Sequence, residues 1–333
     1  MKLFNTKILG TGSYLPDRIV TNDELSKRIE TSHQWIVERT GIHQRRVADL
    51  SKGESPSGMA KEAALKAIEA ANLTVNDIDM ILLSATMPDQ TMPNTAAVLQ
   101  EKLGITNNCP TLDVNAACSG WIYLVPMADA MIKTGLYKNI LVIGSEMLSS
   151  FNNWDDRNTC ILFGDACGAA VLGRAGEKED SRIYSSVLTC DSTKKDHLTL
   201  MAGGACKRTT HEILNNNEQW MTMNGQQIFK AAVTTMAAHA EKVAKEAELA
   251  MEDIDWFIPH QANLRIIEAV GTRFNIPQEK VIINVDKYAN TSSASVPVAL
   301  DEAIRSGKIK RGDNLLMAAF GAGLTAGAVC LKY

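Results

Sequence analysis

The feature that most restricts how this chain can fold is a long-range internal repeat. Residues 73–84, LTVNDIDMILLS, return as residues 249–260, LAMEDIDWFIPH, with Asp77 matched by Asp253 176 positions further on. Each copy reads as a helix end, a short acidic turn and an apolar strand. Two more echoes follow in the same order. Residues 131–135 (MIKTG) and 140–144 (ILVIG) are answered by 303–307 (AIRSG) and 315–319 (LLMAA), and 168–172 (GAAVL) is answered by 327–331 (GAVCL). Three echoes in one order mean a duplicated unit, and 333 residues leave room for two copies rather than a solenoid. The expected division is an N-terminal half at residues 1–175 and a C-terminal half at 176–333, joined near the polar segment Arg174–Asp180 and related by a pseudo-twofold axis. Residues 191–218 break the pattern and read as an excursion of the kind that forms lids or binding loops.

Within each half, helices alternate with short β-rich runs, which predicts an α/β fold with mostly parallel sheets covered by helices. The run Ile8–Pro16 reads as a strand ending in a Gly10-Thr11-Gly12 turn; no third glycine leads into a helix, so it is no dinucleotide fingerprint. Thr21–Glu24 looks like a capped helix start, Arg45 and Arg46 form a small basic cluster, and helical periodicity runs from Met59 to Ala71. The net charge of −4 offers no general attraction to nucleic acid, so an acidic partner must be met by a local basic patch. The opening residues from Met1 run straight toward a strand without a signal-peptide pattern, and no stretch is long enough to span a bilayer, so neither membrane nor export is expected and the expected location is the cytoplasm. Seven cysteines without a C-x-x-C pair argue for reduced thiols and against a zinc site.

Of these cysteines Cys118 stands out. Leu112–Trp121 runs from an apolar strand through a turn of small residues and places Cys118 at the threshold of a helix continuing through Leu124 and Met131. The positive end of that helix is expected to favour the thiolate. The repeat adds spatial information: equivalent strand ends of two halves packed about a pseudo-twofold converge. Cys118, His260 after the strand Trp256–Ile258, and Asn290 after the strand read at residues 281–285 all fall at such ends, where α/β sheets place their chemistry. His260 is expected to open a helix whose N-terminus disfavours imidazolium, leaving a neutral ring able to donate one hydrogen bond. Taken singly, each of the three also suits a structural role, and it is their joint placement that points to a site.

The stretches NAACSG (115–120), HQANLR (260–265) and ANTSSASVP (289–297), with Trp35–Gly41, Phe163–Asp165 and Phe320–Gly323, resemble the β-ketoacyl-acyl carrier protein synthase III family, the initiating condensing enzymes of bacterial type II fatty acid synthesis. The resemblance covers nearly the whole chain. It implies a thiolase-like, five-layered αβαβα fold of two similar halves, in agreement with the repeat. It also implies a homodimer that uses acyl-CoA, usually acetyl-CoA, and malonyl-acyl carrier protein as substrates and needs no cofactor or metal. By this similarity Cys118 carries the acyl group as a thioester, and the backbone N–H groups of Cys118 and Ala322 form an oxyanion hole. His260 and Asn290 stabilise the enolate left when malonyl loses carbon dioxide. Trp35 and Arg157 match residues that sandwich the adenine of coenzyme A, and Thr31, Arg39, Phe229 and Asn263 match others along the pantetheine tunnel. Met92, reaching across the dimer, and Phe320 border the acyl pocket. Lys230, Arg265 and Arg273 match the surface that receives the carrier protein.

Elongating relatives use a second histidine where Asn290 stands. Hydroxymethylglutaryl synthases need a carboxylate at the strand end that reads Ser84-Ala85-Thr86 here. Cys330, near the position of a degradative thiolase's second cysteine, reads as core. Three positions depart from the family pattern: Ala289 replaces a glycine before the asparagine, Ala322 interrupts a glycine-rich turn, and Met92 stands where an aromatic is common. Two rival readings stay open on sequence: the same fold with an alcohol, amine or polyketide acceptor, and a non-catalytic acyl-binding protein. A cysteine hydrolase is disfavoured because no carboxylate near these motifs could serve as its base.

Overall fold

The acidic turns of the repeat build the same hydrogen-bonded joint twice. In the computed structural model, which describes residues 3–333, the Asp77 carboxylate accepts the Thr74 N–H at 2.7 Å and the Asp253 carboxylate accepts the Ala250 N–H at 2.9 Å. Asn139 Nδ2 donates to the Asp77 carbonyl and Asn314 Nδ2 to the Asp253 carbonyl, both at 2.9 Å. Asp79 then accepts the N–H of Asn139, and Asp255 that of Asn314. Each half thus pins the start of one strand to the start of its neighbour with the same residue types. Met1 and Lys2, which open the stretch read as running toward a strand, lie outside the described residues.

In chain order the strands are β1 (Thr6–Tyr14), β2 (Ile19–Thr21), β3 (Gln44–Arg46), β4 (Met80–Ser84), β5 (Thr111–Asp113), β6 (Asn139–Met147), β7 (Asp165–Arg174), β8 (Arg182–Cys190), β9 (Leu198–Thr199), β10 (Thr222–Met223), β11 (Trp256–Pro259), β12 (Asn314–Gly321) and β13 (Thr325–Lys332). The helices are α1 (Asn22–Leu25), α2 (His33–Thr40), α3 (Pro56–Ala70), α4 (Thr95–Leu103), α5 (Gly120–Lys133), α6 (His211–Asn215), α7 (Gly225–Glu246), α8 (Leu264–Arg273), α9 (Val285–Tyr288) and α10 (Ser295–Arg305). One sheet has the order β1-β7-β6-β4-β5 and the other β8-β13-β12-β11, the same order position for position. The fifth place in the second sheet holds a single parallel bridge between Phe257 and Val281, and residues 285–288 turn into α9. The strand expected at 281–285 is therefore not formed. The sheets are also mixed rather than mostly parallel: β4 pairs in parallel with β5 and β6, and β11 with β12, while β1-β7, β6-β7, β12-β13 and β13-β8 are antiparallel. No helix crosses over between β6 and β7 or between β12 and β13, and without a crossover the second strand must run back.

Layering follows from alternation along the strands. Met80, Leu82, Ile140 and Val142 point toward the centre of the molecule, where they meet α5 through Trp121, Leu124 and Ala128, and α10 through Val296 and Leu300. Leu315, Met317, Val329 and Leu331 of the second sheet close the same layer from the other side. The intervening residues Ile81, Leu83, Leu141 and Ile143 face α3 and α4, while Phe257, Leu316, Ala318 and Cys330 face α7 and α8. Helix, sheet, two helices, sheet, helix make five layers, and strands buried on both faces read as unbroken apolar runs. Cys330 is core, as its place in the strand suggested.

Two local readings change. Gly10 and Gly12 lie inside β1, not in a turn, because the backbone of α3 rests on them: a Cβ on Gly12 would fall 2.3 Å from the Ala63 carbonyl oxygen. Arg45 is no surface cation. Its fully buried guanidinium donates to the carbonyls of Val20 and Ile161 and to Asn22 Oδ1, tying the β2–β3 ribbon to the body of the first half. Among the described residues no helix is long and apolar enough to cross a membrane.

Gly12→Ala is expected to lose about 1–3 kcal/mol in urea unfolding, since the obstacle is helix backbone that cannot swing away. Gly204→Ala, with nothing within 4 Å of the new methyl, should stay within about 0.5 kcal/mol of the parent.

Candidate active site

Cys118 enters its site through a tight passage. Between β5 and α5 the chain makes a 3-10 turn at Ala117–Ser119, with Ala117 in the left-handed region (φ 47°). Gly321, the last residue of β12, presses on that turn: a Cβ there would lie 2.7 Å from the Cys118 nitrogen. The turn holding Ala322 consequently lies against the backbone of the cysteine. Cys118, His260 and Asn290, which arrive from three separate parts of the chain, line one cavity of about 390 Å³. Phe320, Arg39, Phe229, Asn263 and Arg265 line it too. So do Leu198 and Met223 of the β9–β10 ribbon, which places the excursion after residue 190 over this cavity.

His260 follows β11 directly, its N–H donating to the Ala318 carbonyl at 2.8 Å. It does not open a helix; α8 starts at Leu264, capped by the Asn263 side chain. The ring is 2 % exposed, and Nδ1 lies 2.6 Å from Ser295 Oγ at the start of α10. That hydroxyl also accepts the Gln261 N–H, and when it gives its own proton to Nδ1 the ring hydrogen sits on Nε2. Burial pushes the imidazole pKa down to about 3, so the ring is neutral for that reason rather than through a helix dipole.

Asn290 sits in a strained loop. Ala289 has φ 61° and ψ −160°, a region all but reserved for glycine, and Ser292 has φ 48°. Asn290 forms a parallel bridge with Phe163, and its Oδ1 accepts the Ser292 N–H at 2.8 Å. With the oxygen engaged, the amide NH₂ is the end left for the cavity.

The expected thiolate is not what these surroundings favour. Burial pushes the Cys118 thiol up to about 12; a hydrogen bond with Ser292 works against this, and the charge of Glu146 adds to it. Desolvation outweighs the short helical lead-in, so the site holds a neutral thiol beside a neutral imidazole.

Sequence reasoning missed four contributors. Ser295 lay inside a quoted motif, but only the fold shows it meeting His260. Ser292 and Ser293 have no signal beyond that motif. Glu146 had one: it is an acidic residue in a nine-residue strand buried at every position. Its carboxylate accepts the Thr86 N–H at 3.1 Å and Ser293 Oγ–H at 2.6 Å. A carboxylate therefore does stand beside the strand end Ser84-Ala85-Thr86 and near Cys118, supplied by the neighbouring strand; it is fully buried and does not line the cavity.

Other residues divide by position. Trp35 lies beside both Arg39 and Arg157, whose guanidinium carbons are 4.1 and 4.8 Å from an indole ring centroid, and Arg157 also donates to the Glu30 carbonyl. At 4.8 Å no aromatic ring fits between Trp35 and Arg157, so an adenine sandwich requires the arginine to move away. Trp35, Arg157 and Thr31 lie outside the Cys118 cavity, and the buried Thr31 hydroxyl has no hydrogen-bond partner among the described residues. Met92 is 84 % exposed and does not reach the cavity of its own chain. Lys230, Arg265 and Arg273 are exposed, with Arg265 at the cavity wall over the Phe229 ring.

Residues 112–192 match the family model described as 3-oxoacyl-[acyl-carrier-protein] synthase III, and residues 244–333 match its C-terminal counterpart. The chain is 48 % identical over 326 residues, 98 % of its length and 97 % of the relative's, to beta-ketoacyl-[acyl-carrier-protein] synthase III of Caldanaerobacter subterraneus subsp. tengcongensis. It is 46 % identical to the protein of that name from Clostridioides difficile, covering 99 % of each. The crystal structure of 3-oxoacyl-[acyl-carrier-protein] synthase III from Aquifex aeolicus superposes with a TM-score of 0.91 at 42 % identity, over 98 % of this chain and all of the other.

Two measurements test the site's electrostatics and strain. The His260 pKa is lower folded than unfolded, so its neutral form contributes stability that is complete above the unfolded value of about 6.5 and is lost as pH falls toward about 3. Between about pH 7 and about pH 5, urea midpoints should show wild type losing about 2 kcal/mol relative to His260→Asn. At the strained position, Ala289→Gly should match or exceed wild-type stability, whereas Ala289→Val should cost about 2 kcal/mol or more.

Proposed function

The chain belongs to the 3-oxoacyl-[acyl-carrier-protein] synthase III family, and on that footing we propose a role for each residue of its cavity. The protein is a condensing acyltransferase that initiates fatty acid synthesis, joining an acyl-CoA to malonyl-acyl carrier protein. The observation that carries the assignment of roles is the meeting of Cys118, His260 and Asn290 in one cavity.

Cys118 is the acyl carrier. Its sulfur attacks the thioester carbonyl, the carbonyl–sulfur bond to coenzyme A breaks, and the thiol proton leaves with the departing coenzyme A. Because the resting thiol is neutral, attack is favoured by donors that receive the developing oxyanion, and the Cys118 and Ala322 N–H groups are the pair proposed for it. The approach of Gly321 to the Cys118 nitrogen supports this pairing.

In the second half, malonyl on its carrier loses carbon dioxide and leaves an enolate. Neutral His260 donates through Nε2–H and Asn290 through its amide; a buried ring with its other nitrogen on Ser295 is a donor already oriented for that charge. The enolate carbon attacks the acyl-cysteine carbonyl, the carbon–sulfur bond breaks, and the released sulfur recovers a proton from solvent. Acetyl-CoA is the primer we favour. Thr31, Trp35, Arg39, Arg157, Phe229 and Asn263 are assigned to coenzyme A, and exposed Lys230, Arg265 and Arg273 to the acidic carrier protein. A homodimer in the cytoplasm completes the reading; the exposure of Met92 and the apolar Leu112 on the sheet-edge strand β5 support pairing of two copies.

Intact-mass measurement after incubation with acetyl-, butyryl- and octanoyl-CoA should show an acetyl adduct on wild type and none on Cys118→Ser. An adduct that survives this substitution overturns the assignment of the nucleophile, and exclusive acylation by the longer thioesters overturns the choice of primer.

A further inference from the structure

Glu146 lies on β6, one strand away from β4, with its side chain turned away from solvent. Four donors surround its carboxylate: the Thr86 N–H at 3.1 Å and Thr86 hydroxyl at 3.2 Å from one half, and the Ser293 N–H at 3.3 Å and Ser293 hydroxyl at 2.6 Å from the other. No lysine or arginine is paired with it among the described residues. A buried carboxylate held by hydrogen bonds alone is a costly feature to retain, and its pKa is pushed up to about 7 by burial.

What those bonds hold is the loop that carries Asn290. Ser293 is three residues beyond Asn290, and Ser292 between them has the left-handed φ of 48° and donates its N–H to Asn290 Oδ1. The loop is pressed onto β6, where a Cβ on Gly144 would fall 2.5 Å from the Ser293 carbonyl oxygen. The Thr86 and Ser292 hydroxyls are 3.4 Å apart, and the Ser292 hydroxyl acts on both the Glu146 carboxyl and the Cys118 thiol, lowering the pKa of each. Glu146 thus fastens this strained loop to the first half of the molecule.

We propose that Glu146 is a positioning residue for condensation: by clamping Ser293 and Thr86 it fixes the Asn290 loop so that the Asn290 amide meets the enolate. The inference rests on the role given to Asn290 above. Acylation of Cys118 does not depend on this amide, so the two half-reactions respond differently to loss of the clamp. Glutamine has nearly the same shape but accepts at one end only. Whichever way it turns, the N–H of Thr86 or of Ser293 faces an NH₂ group.

The test follows the half-reactions separately on the full-length protein. Acetylation of Cys118 by acetyl-CoA is timed by quenched intact mass, and condensation by single turnover of the isolated acetyl-enzyme with malonyl-acyl carrier protein. For Glu146→Gln, condensation should slow roughly 100-fold, the scale of a displaced reacting group, while acetylation stays within about threefold. Ser293→Ala, which removes the 2.6 Å bond from the other side, should show the same split and decides the matter if the glutamine variant does not fold. Equal loss in both steps, or unchanged condensation, overturns the proposal. Asn290→Ala tells the two roles apart: if it leaves condensation intact, the role of Asn290 itself fails; if it slows condensation while Glu146→Gln and Ser293→Ala do not, only the clamp fails.

Discussion

Each of the two sheets has to hide both of its faces, and everything else in this molecule is arranged around that need. One face of each is covered by its own outer helices, α3 with α4 and α7 with α8; the other faces share a single apolar layer built from α5 and α10. Fully burying a large apolar side chain is worth about 1.5–3 kcal/mol, so a layer in which Trp121, Leu124, Leu300, Met317 and Val142 are all covered cannot be opened without abandoning the fold. Neither half could keep its inner helix dry alone. Duplication and function are joined here, because the layer that welds the halves together also brings the ends of β5, β11 and β12 to one cavity.

The price of convergence is crowding, and the chain meets it with small residues where backbones touch. Gly144 under the Asn290 loop, Gly321 against the cysteine turn and Gly120 against Ser84 leave no space for a side chain. Ala117, Ala289 and Ser292 accept left-handed conformations around the same point. Strain of this kind persists only where surrounding contacts over-determine it, and the clamp on Ser293 and the bridge from Phe163 to Asn290 are such contacts. The crowding also sets the electrostatics. Charges are penalised, and both Cys118 and His260 rest in their neutral forms. What such a site offers negative charge is oriented N–H donors.

Much of this was legible in the chain alone, and for identifiable reasons. The helix-turn-strand repeat around Asp77 and Asp253 survives in sequence because its side chains bond their own neighbourhood and the next strand's first residue, so the same residue types recur. Periods of apolar residues gave α3, capping chemistry gave Thr21, and the motifs around residues 118, 260 and 290 marked the site. What failed did so through long-range packing. Gly10 and Gly12 look like a turn until α3 is laid across them. Arg45 looks like surface until it is found among the carbonyls of Val20 and Ile161. The mixed strand directions depend on which connections lack a helix, and the thiol's resistance to ionisation depends on burial that no local pattern records.

By itself, then, the sequence determined the duplication, the positions of most elements and the identity of the side chains that meet in the cavity, since periodicity, capping and short motifs are local properties carried by neighbouring residues. Tertiary structure alone decided how those side chains are supported: that Ser295 holds the His260 ring, that Glu146 reaches Ser293 across the boundary between halves, and that Met92 stands apart from its own chain's cavity. The pairs Glu146–Ser293 and His260–Ser295 are made between residues 147 and 35 positions apart. Such contacts exist only once the shared apolar layer has brought their strands and helices together, and the strength of a hydrogen bond or the cost of a charge depends on the burial that this layer creates.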